Sequence, residues 1–387
     1  MNASGDRVVR LTLAGAADSM GLALGWTVVN LLAVHEHGLA GAGLLNAAML
    51  LGVALSSPAA AWLTRHVQGR HLLQGTAVAE ALLRAWTLTL LLLNAPLAVV
   101  AALVLLTNVI AWVGYAGMRA EVARARSGAA AMTRYVAVII AVEAIGTTVG
   151  ALLPIVSQGS VDSAIVFSVI FVYGVSLVPT VLVAAGSTIP VVPSRGAADL
   201  TPQSKRLLAA GTLLMVVCSG PVLLFIALAD KLHGQAAVAP AAIAFAAGSM
   251  AAPWAGRVMS RSGLPLMTLW LTWGAGMVFG WIAAPWTVGG LCVALFLSGI
   301  CLTGFEGAMD ALLAAAAPEG RATASLAHGS AARALGGAAA VKLVPLLSST
   351  AALAELAAVS SVLCAVAAVA VHRVTVSRTG DAVPART

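Results

Sequence analysis

Twelve times along the chain a run of about 20 apolar residues is closed by a short polar break, and that rhythm limits the fold more than anything else in the sequence. The runs fall at roughly 10–33, 39–63, 72–93, 96–118, 135–156, 164–186, 207–229, 236–256, 264–284, 287–309, 322–346 and 351–371. Twenty residues of helix rise about 30 Å, the thickness of a bilayer's hydrocarbon core. In hydrocarbon every backbone N–H and C=O must be bonded within a helix or a closed barrel. Barrel strands alternate polar and apolar residues, whereas these runs are apolar all round. Helices are the remaining solution. Composition agrees: 60% of the 387 residues are hydrophobic, 9% are charged and the mean hydropathy is +0.99, against roughly a quarter charged in soluble domains. The first run follows Arg7 and Arg10 but is too long for a signal-peptide core and ends without a small-x-small cleavage site, so it is read as a helix. The expected class is an all-α polytopic membrane protein with about twelve transmembrane helices.

Orientation follows from the cations. With the N-terminus inside, seventeen of the 21 Lys and Arg residues fall in inner loops and tails, among them Arg65, Arg70, Arg119, Arg257, Arg261 and Arg321. The outer loops hold Lys231, while Arg84, Arg333 and Lys342 lie within runs. Insertion and anionic lipid keep cations on the cytoplasmic side, so both termini are expected there. The net charge of +7 reflects those loops, and no dense basic run suggests nucleic acid. Cys218, Cys292, Cys301 and Cys364 sit in apolar runs without CxxC spacing and read as small apolar fillers. The abundance of alanine points to a GC-rich bacterial genome.

The inner connection from Ser187 to Arg206 carries Pro190, Pro193, Gly196 and Pro202 and reads as a linker. It divides the chain into a six-helix bundle at 1–186, a cytoplasmic linker at 187–206, and a second six-helix bundle with a short tail at 207–387. The halves repeat. At an offset of 196, Gly15 meets Gly211, His37-Gly38 meets His233-Gly234, Gly52 meets Gly248 and Arg65 meets Arg261. At an offset of 190, Gly114-Tyr115-Ala116-Gly117 meets Gly304-Phe305-Glu306-Gly307, and Gly146 meets Gly336. Two pseudo-symmetric bundles of like topology bind solutes at their interface near the midplane.

The loop Gly256-Arg257-Val258-Met259-Ser260-Arg261-Ser262-Gly263, its first-half counterpart with Arg65, Gly69 and Arg70, the run Pro318-Glu319-Gly320-Arg321, and Gly146-Thr147-Thr148-Val149-Gly150 in the fifth run together resemble the major facilitator superfamily over essentially the whole length. They look most like its drug and metabolite exporter branches. Both loops depart from the family pattern, with Ser260 and Thr64 where an acid is expected. The resemblance implies the two-bundle fold, with Arg65, Gly69, Arg70, Gly256, Arg261 and Gly263 in conformational-gate loops. The arginine that proton-coupled exporters of this superfamily commonly carry in the fourth run is absent, and Asn108 stands at about that place.

Ionised groups inside runs mark function, because a charge in hydrocarbon costs several kcal/mol unless it faces a cavity, a partner or the interface. Asp310 and Glu355 read as interfacial, Lys342 as snorkelling. Glu80 and Arg84, four apart on one helix, read as a structural ion pair. Glu143 and Arg333 differ by 190 and so occupy equivalent positions in the fifth and eleventh runs, which in the resembling fold border the central cavity. Arg333 is expected to hold an anionic substrate group or to act as counter-ion, and Glu143 to bind a proton or a cationic group. Asp18 is a candidate proton site. Glu306, between Gly304 and Gly307, is a candidate gate at the inner mouth. Asn108, Trp26 and Trp112 are candidate cavity residues; helix packing is the plainer reading of each tryptophan. His35 and His37 are too few for a metal site.

The expected function is secondary active transport of a small organic molecule by alternating access across a bacterial inner (plasma) membrane. Export of a drug-like compound or metabolite, with protons as the candidate coupling ion, follows from the resemblance. No Walker A sequence points to direct use of ATP. The protein is expected to be monomeric, with no cofactor, no metal and no enzymatic activity. The alternatives are an uptake carrier or uniporter of the same fold and, from other classes, a membrane-embedded lipid-modifying enzyme or a non-transporting sensor.

Overall fold

The computed structural model describes residues 3–126, 129–156, 163–187, 189, 201–233, 237–261, 266–318 and 321–343. Span twelve at 351–371, the linker from 190 to 200, Gly263, and the side chains of residues 256–261 lie outside the described residues. Among the described residues the helices are α1 (Ala3–His66), α2 (Gly69–Leu92), α3 (Leu97–Ala125), α4 (Ala129–Val156), α5 (Ser163–Ala184), α6 (Pro202–His233), α7 (Val238–Arg261), α8 (Leu266–Ala283), α9 (Val288–Ala316) and α10 (Ala322–Leu343).

The helical assignment of α1 runs unbroken over two expected spans, yet α1 is a hairpin. Asn46 Nδ2 donates to Asn30 Oδ1 at 2.8 Å, whereas sixteen residues of straight helix would hold them about 24 Å apart. Val28, Leu32 and Leu45 also share one buried apolar cluster. The two arms, Asp6–Ala33 and Leu44–His66, are each long and apolar enough to cross a membrane, as are α2, α3, α5, α9 and Ala130–Gly150 of α4. Their outer faces are apolar: Leu82, Phe171, Leu182 and Phe279 are each more than 60% exposed, as lipid-facing side chains are. The chain is a multi-pass membrane protein.

Turn chemistry closes the hairpins where the polar breaks fall. Between α2 and α3, Asn94 takes φ 53°, a left-handed geometry that asparagine tolerates; there Asn94 N–H donates to Leu91 O at 3.1 Å and Ala95 N–H to Leu90 O at 2.9 Å. Before α9, the Thr287 hydroxyl accepts from Gly290 N–H at 2.9 Å, satisfying a helix-start donor.

The repeat shows itself in backbone contacts. A methyl group on Gly52 would strike the Leu105 carbonyl of α3, and one on Gly248 would strike the Phe296 carbonyl of α9. A methyl on Gly146 would lie 2.5 Å from Met20 O in the first arm of α1, and one on Gly336 would strike Thr212 O in α6. These two offset pairs of glycines therefore each make the same helix-to-helix approach twice, through the small residues that such packing favours. The remaining contacts pair likewise: α4 packs on α7 and α9, while α10 packs on α1 and α3.

Several helices extend one to two turns past the expected span ends. α3 continues to Ala125 rather than 118, and α9 to Ala316 rather than 309. Charged residues there were expected to end the spans. They do not: Arg119 pairs with Asp310 and Glu121 with Arg7.

Candidate functional site

Two groups of ionisable side chains sit within the helices, stacked along α3. On that helix Trp112, Tyr115 and Arg119 follow the i, i+3, i+7 spacing of one face. Trp112 meets Tyr115 edge-on, with ring centroids 5.7 Å apart, and the Arg119 guanidinium lies 5.8 Å from the Trp112 ring centre.

The first group belongs to α1, α2, α3 and α5. Arg84 donates to Asp18 Oδ1 at 3.3 Å, to Glu80 Oε1, and to the Tyr115 hydroxyl at 3.1 Å. Its guanidinium also lies 5.0 Å from the Tyr173 ring centre. Asp18, Glu80 and Arg84 are each at most 4% exposed. The Glu80–Arg84 pair is present as the spacing implies, but it is not self-contained: Asp18 is its third member. Two carboxylates share one guanidinium in hydrocarbon, where an unpaired charge is costly.

The second group crosses between α3 and the pair α9–α10. Arg333 donates to Asp310 Oδ1 at 2.8 Å and lies 3.6 Å from Glu306 Oε1. Arg119 reaches Asp310 Oδ2 at 3.4 Å and donates to Ser330 Oγ at 3.2 Å. Asp310, expected at the interface, has no exposed surface. Arg119, expected in an inner loop, is 7% exposed within α3. The partner Asp310 lies 191 residues away and carries no local signal.

Glu143 and Arg333 do not touch. Arg333 pairs instead with Asp310 and Glu306, and among the described residues Glu143 forms no ion pair. The close approach of α4 and α9 that makes this seam comes from Gly307, where a methyl group would strike the backbone of Thr133.

The other candidates lie elsewhere. Asn108 is 6% exposed, and its Nδ2 donates to Val104 O within α3 at 2.8 Å. Trp26 packs on the apolar cluster around Val28 and Leu45. Of the gate-loop residues, Arg65 lies in the last turn of α1, Arg70 is exposed, and Gly69 packs on the linker, its N–H donating to Ile189 O at 3.3 Å. That end of the bundle is tied by Glu121, 1% exposed, which accepts from Arg7 at 2.6 Å and from Ser187 at 2.5 Å.

No protein-family model matches the sequence, and no curated protein sequence matches it. Solved structures do match. The human organic anion transporter MFSD10 (TETRAN) superposes with a TM-score of 0.73 at 13% identity, over 95% of this chain and 100% of that one. A bacterial homologue of the iron transporter ferroportin, in an outward-facing state with soaked iron, gives 0.68 at 16% identity over 97% and 100%. The fucose:proton symporter FucP of E. coli gives 0.61 at 12% identity over 94% and 98%, and FucP is described in an outward conformation as a major facilitator superfamily transporter. Identities this low speak for backbone architecture. The chain has the fold of the major facilitator superfamily transporters.

Proposed function

We propose that this protein is a secondary transporter, not an enzyme, and that it moves a small organic molecule by rocking two six-helix bundles, 1–186 and 207–387, about the seam between α3–α4 and α9–α10, with 187–206 as the connecting linker. The observation that carries the reading is the ion pair between Arg119 and Asp310, 3.4 Å apart and buried between lipid-embedded helices of opposite halves. A static bundle gains little from buried charges, since apolar residues of similar volume usually stabilise as well or better. A carrier needs contacts strong enough to close one end yet replaceable by water when that end opens.

In this reading the end bearing Arg7, Arg65 and Arg119 is cytoplasmic, as the one-sided cations support, and it is shut. The membrane is the bacterial inner membrane and the protein works as a monomer. Arg333 serves as counter-ion, since Asp310 and Glu306 already occupy it. Glu143 and Glu306 border the substrate position. Asp18, sharing Arg84 with Glu80, is the coupling proton's site, and the direction is export, as the resemblance to exporters implies. Flux into proteoliposomes containing only this protein, with and without an imposed pH gradient, tests the reading. Substrate flux that is absent across a broad panel refutes transport; flux whose pH sensitivity survives Asp18→Asn removes Asp18 from the coupling.

A further inference from the structure

At the end of the bundle that carries Arg7, the start of α1 and the end of α5 enclose a cleft of about 530 Å³, lined by Asp6, Arg7, Arg10, Leu182, Val183 and Gly186. It lies outside both buried groups of charges. Arg7 is fixed in place there: its Nη2 is held by Glu121 at 2.6 Å, and its Nη1 stands over Gly186, where an added Cβ would come within 3.0 Å of it. Neither Asp6 nor Arg10 forms an ion pair among the described residues, although their i, i+4 spacing puts them on one face of α1. Counting Glu121 behind it, the cleft has no net charge, yet it presents one open carboxylate beside two guanidiniums. Apolar surface continues from the cleft along both helices. Leu13 and Met20 follow Asp6 and Arg10 on the same face of α1, and Phe171, Val175, Val178 and Leu182 recur on one face of α5; all six are exposed. The two helices are packed together along this stretch, for a methyl group on Gly21 would strike the Ser176 side chain.

We infer that the cleft seats the head group of phosphatidylethanolamine from the leaflet at that end, with its phosphodiester on Arg7 and Arg10, its ammonium on Asp6 and its acyl chains along the exposed stripes of α1 and α5. Guanidinium forks match the geometry of phosphate oxygens. A primary ammonium brings three N–H donors to the open carboxylate, whereas the quaternary ammonium of phosphatidylcholine brings none. Phosphatidylglycerol carries no cation and would set its phosphate beside an unpaired Asp6. A lipid with both charges leaves the cleft neutral and each of its ionised groups partnered. The site does not depend on what the protein transports. It joins α1 to α5 on the outer side of Glu121, which also accepts from Ser187 at the start of the linker.

The test is native mass spectrometry of the delipidated full-length protein in detergent, titrated with phosphatidylethanolamine, phosphatidylcholine and phosphatidylglycerol of identical acyl chains. Binding of the first phosphatidylethanolamine at least tenfold tighter than of either other lipid is expected. Arg10→Ala should weaken it at least tenfold, and Asp6→Asn should bring it down to the level of phosphatidylcholine. Arg126→Ala, at an exposed cation beyond the end of α3, should leave it unchanged. Gly186→Leu, which fills the cleft, should abolish the preference and is the independent probe if Arg10→Ala elutes as aggregate. Glycerophosphoethanolamine, the same head group without chains, should fail to displace the lipid even in large excess. Equal or tighter binding of either other lipid, a preference that withstands Asp6→Asn and Gly186→Leu, a loss with Arg126→Ala equal to that with Arg10→Ala, or displacement by the soluble head group overturns the inference.

Discussion

Replacing Asp310 by Asn and Arg119 by Gln should have unequal effects, although each removes one end of the same ion pair. At 3.4 Å and an effective dielectric constant of about 20, the Arg119–Asp310 attraction is about 5 kcal/mol before desolvation, and the 2.8 Å contact of Asp310 with Arg333 about 6 kcal/mol. Desolvation offsets most of either figure. Arg119→Gln leaves Asp310 satisfied by Arg333 and takes a cation out of hydrocarbon, so its net cost is about 2 kcal/mol, felt mainly as loss of closure between the halves. Asp310→Asn leaves Arg119 without a carboxylate, holding only the Ser330 hydroxyl and the Trp112 ring, and leaves Arg333 only the longer carboxylate contact with Glu306. Removing one partner of a buried pair costs about 3–5 kcal/mol, and here it falls on both the fold and the closure. Two measurements separate the effects. Melting in detergent, followed by fluorescence-detected size exclusion, should show Asp310→Asn well below Arg119→Gln. A single Thr133→Cys probe in a background lacking the native cysteines reports seam opening to an impermeant maleimide. About 2 kcal/mol corresponds to roughly a 30-fold change in the open population, so Arg119→Gln should speed labelling on the order of tenfold or more. Equal melting temperatures for the two variants, or labelling unchanged by Arg119→Gln, would refute the argument that Asp310 anchors both halves.

Gly307→Leu places a side chain against the Thr133 backbone and should hold the seam open, raising Thr133→Cys labelling while abolishing flux. Gly146→Leu should lower the melting temperature sharply because its side chain meets the Met20 carbonyl, whereas Gly75→Leu, with nothing within 4 Å of an added Cβ, should leave it nearly unchanged or raise it; equal shifts would sink the close-approach account. Arg84→Gln strands two carboxylates and should cost about 3–5 kcal/mol, seen as lost expression and melting temperature. Adding Asp18→Asn and Glu80→Gln to it should restore most of that loss, and no recovery would mean the three charges do not act as one group.

Most of the architecture was legible in one dimension because a bilayer imposes a one-dimensional rule. Each crossing needs its own length of apolar helix, so the spans for α2 to α10 could be read from hydropathy, and the glycine offsets Gly52/Gly248 and Gly146/Gly336 marked approaches that the tertiary structure makes twice. Span ends were less legible at 118 and 309, since hydropathy ends a helix at its first charge while the helix continues wherever that charge finds a partner. The candidate site shows the limit more sharply. Glu80–Arg84 could be paired from helical spacing alone, and Asp18, Glu143, Glu306 and Arg333 could be singled out by the cost of charge in hydrocarbon. Only the packing decided that Arg84 serves Asp18 as well, that Asp310 is a buried hinge of charge rather than an interfacial residue, and that Arg119 belongs to it. The reason is that a repeated backbone does not repeat its charges in kind: Asp18 corresponds to Leu214 at an offset of 196, and Glu143 to Arg333 at an offset of 190. Electrostatic partners are chosen by proximity in space, between helices far apart in the chain, and no periodicity records that choice.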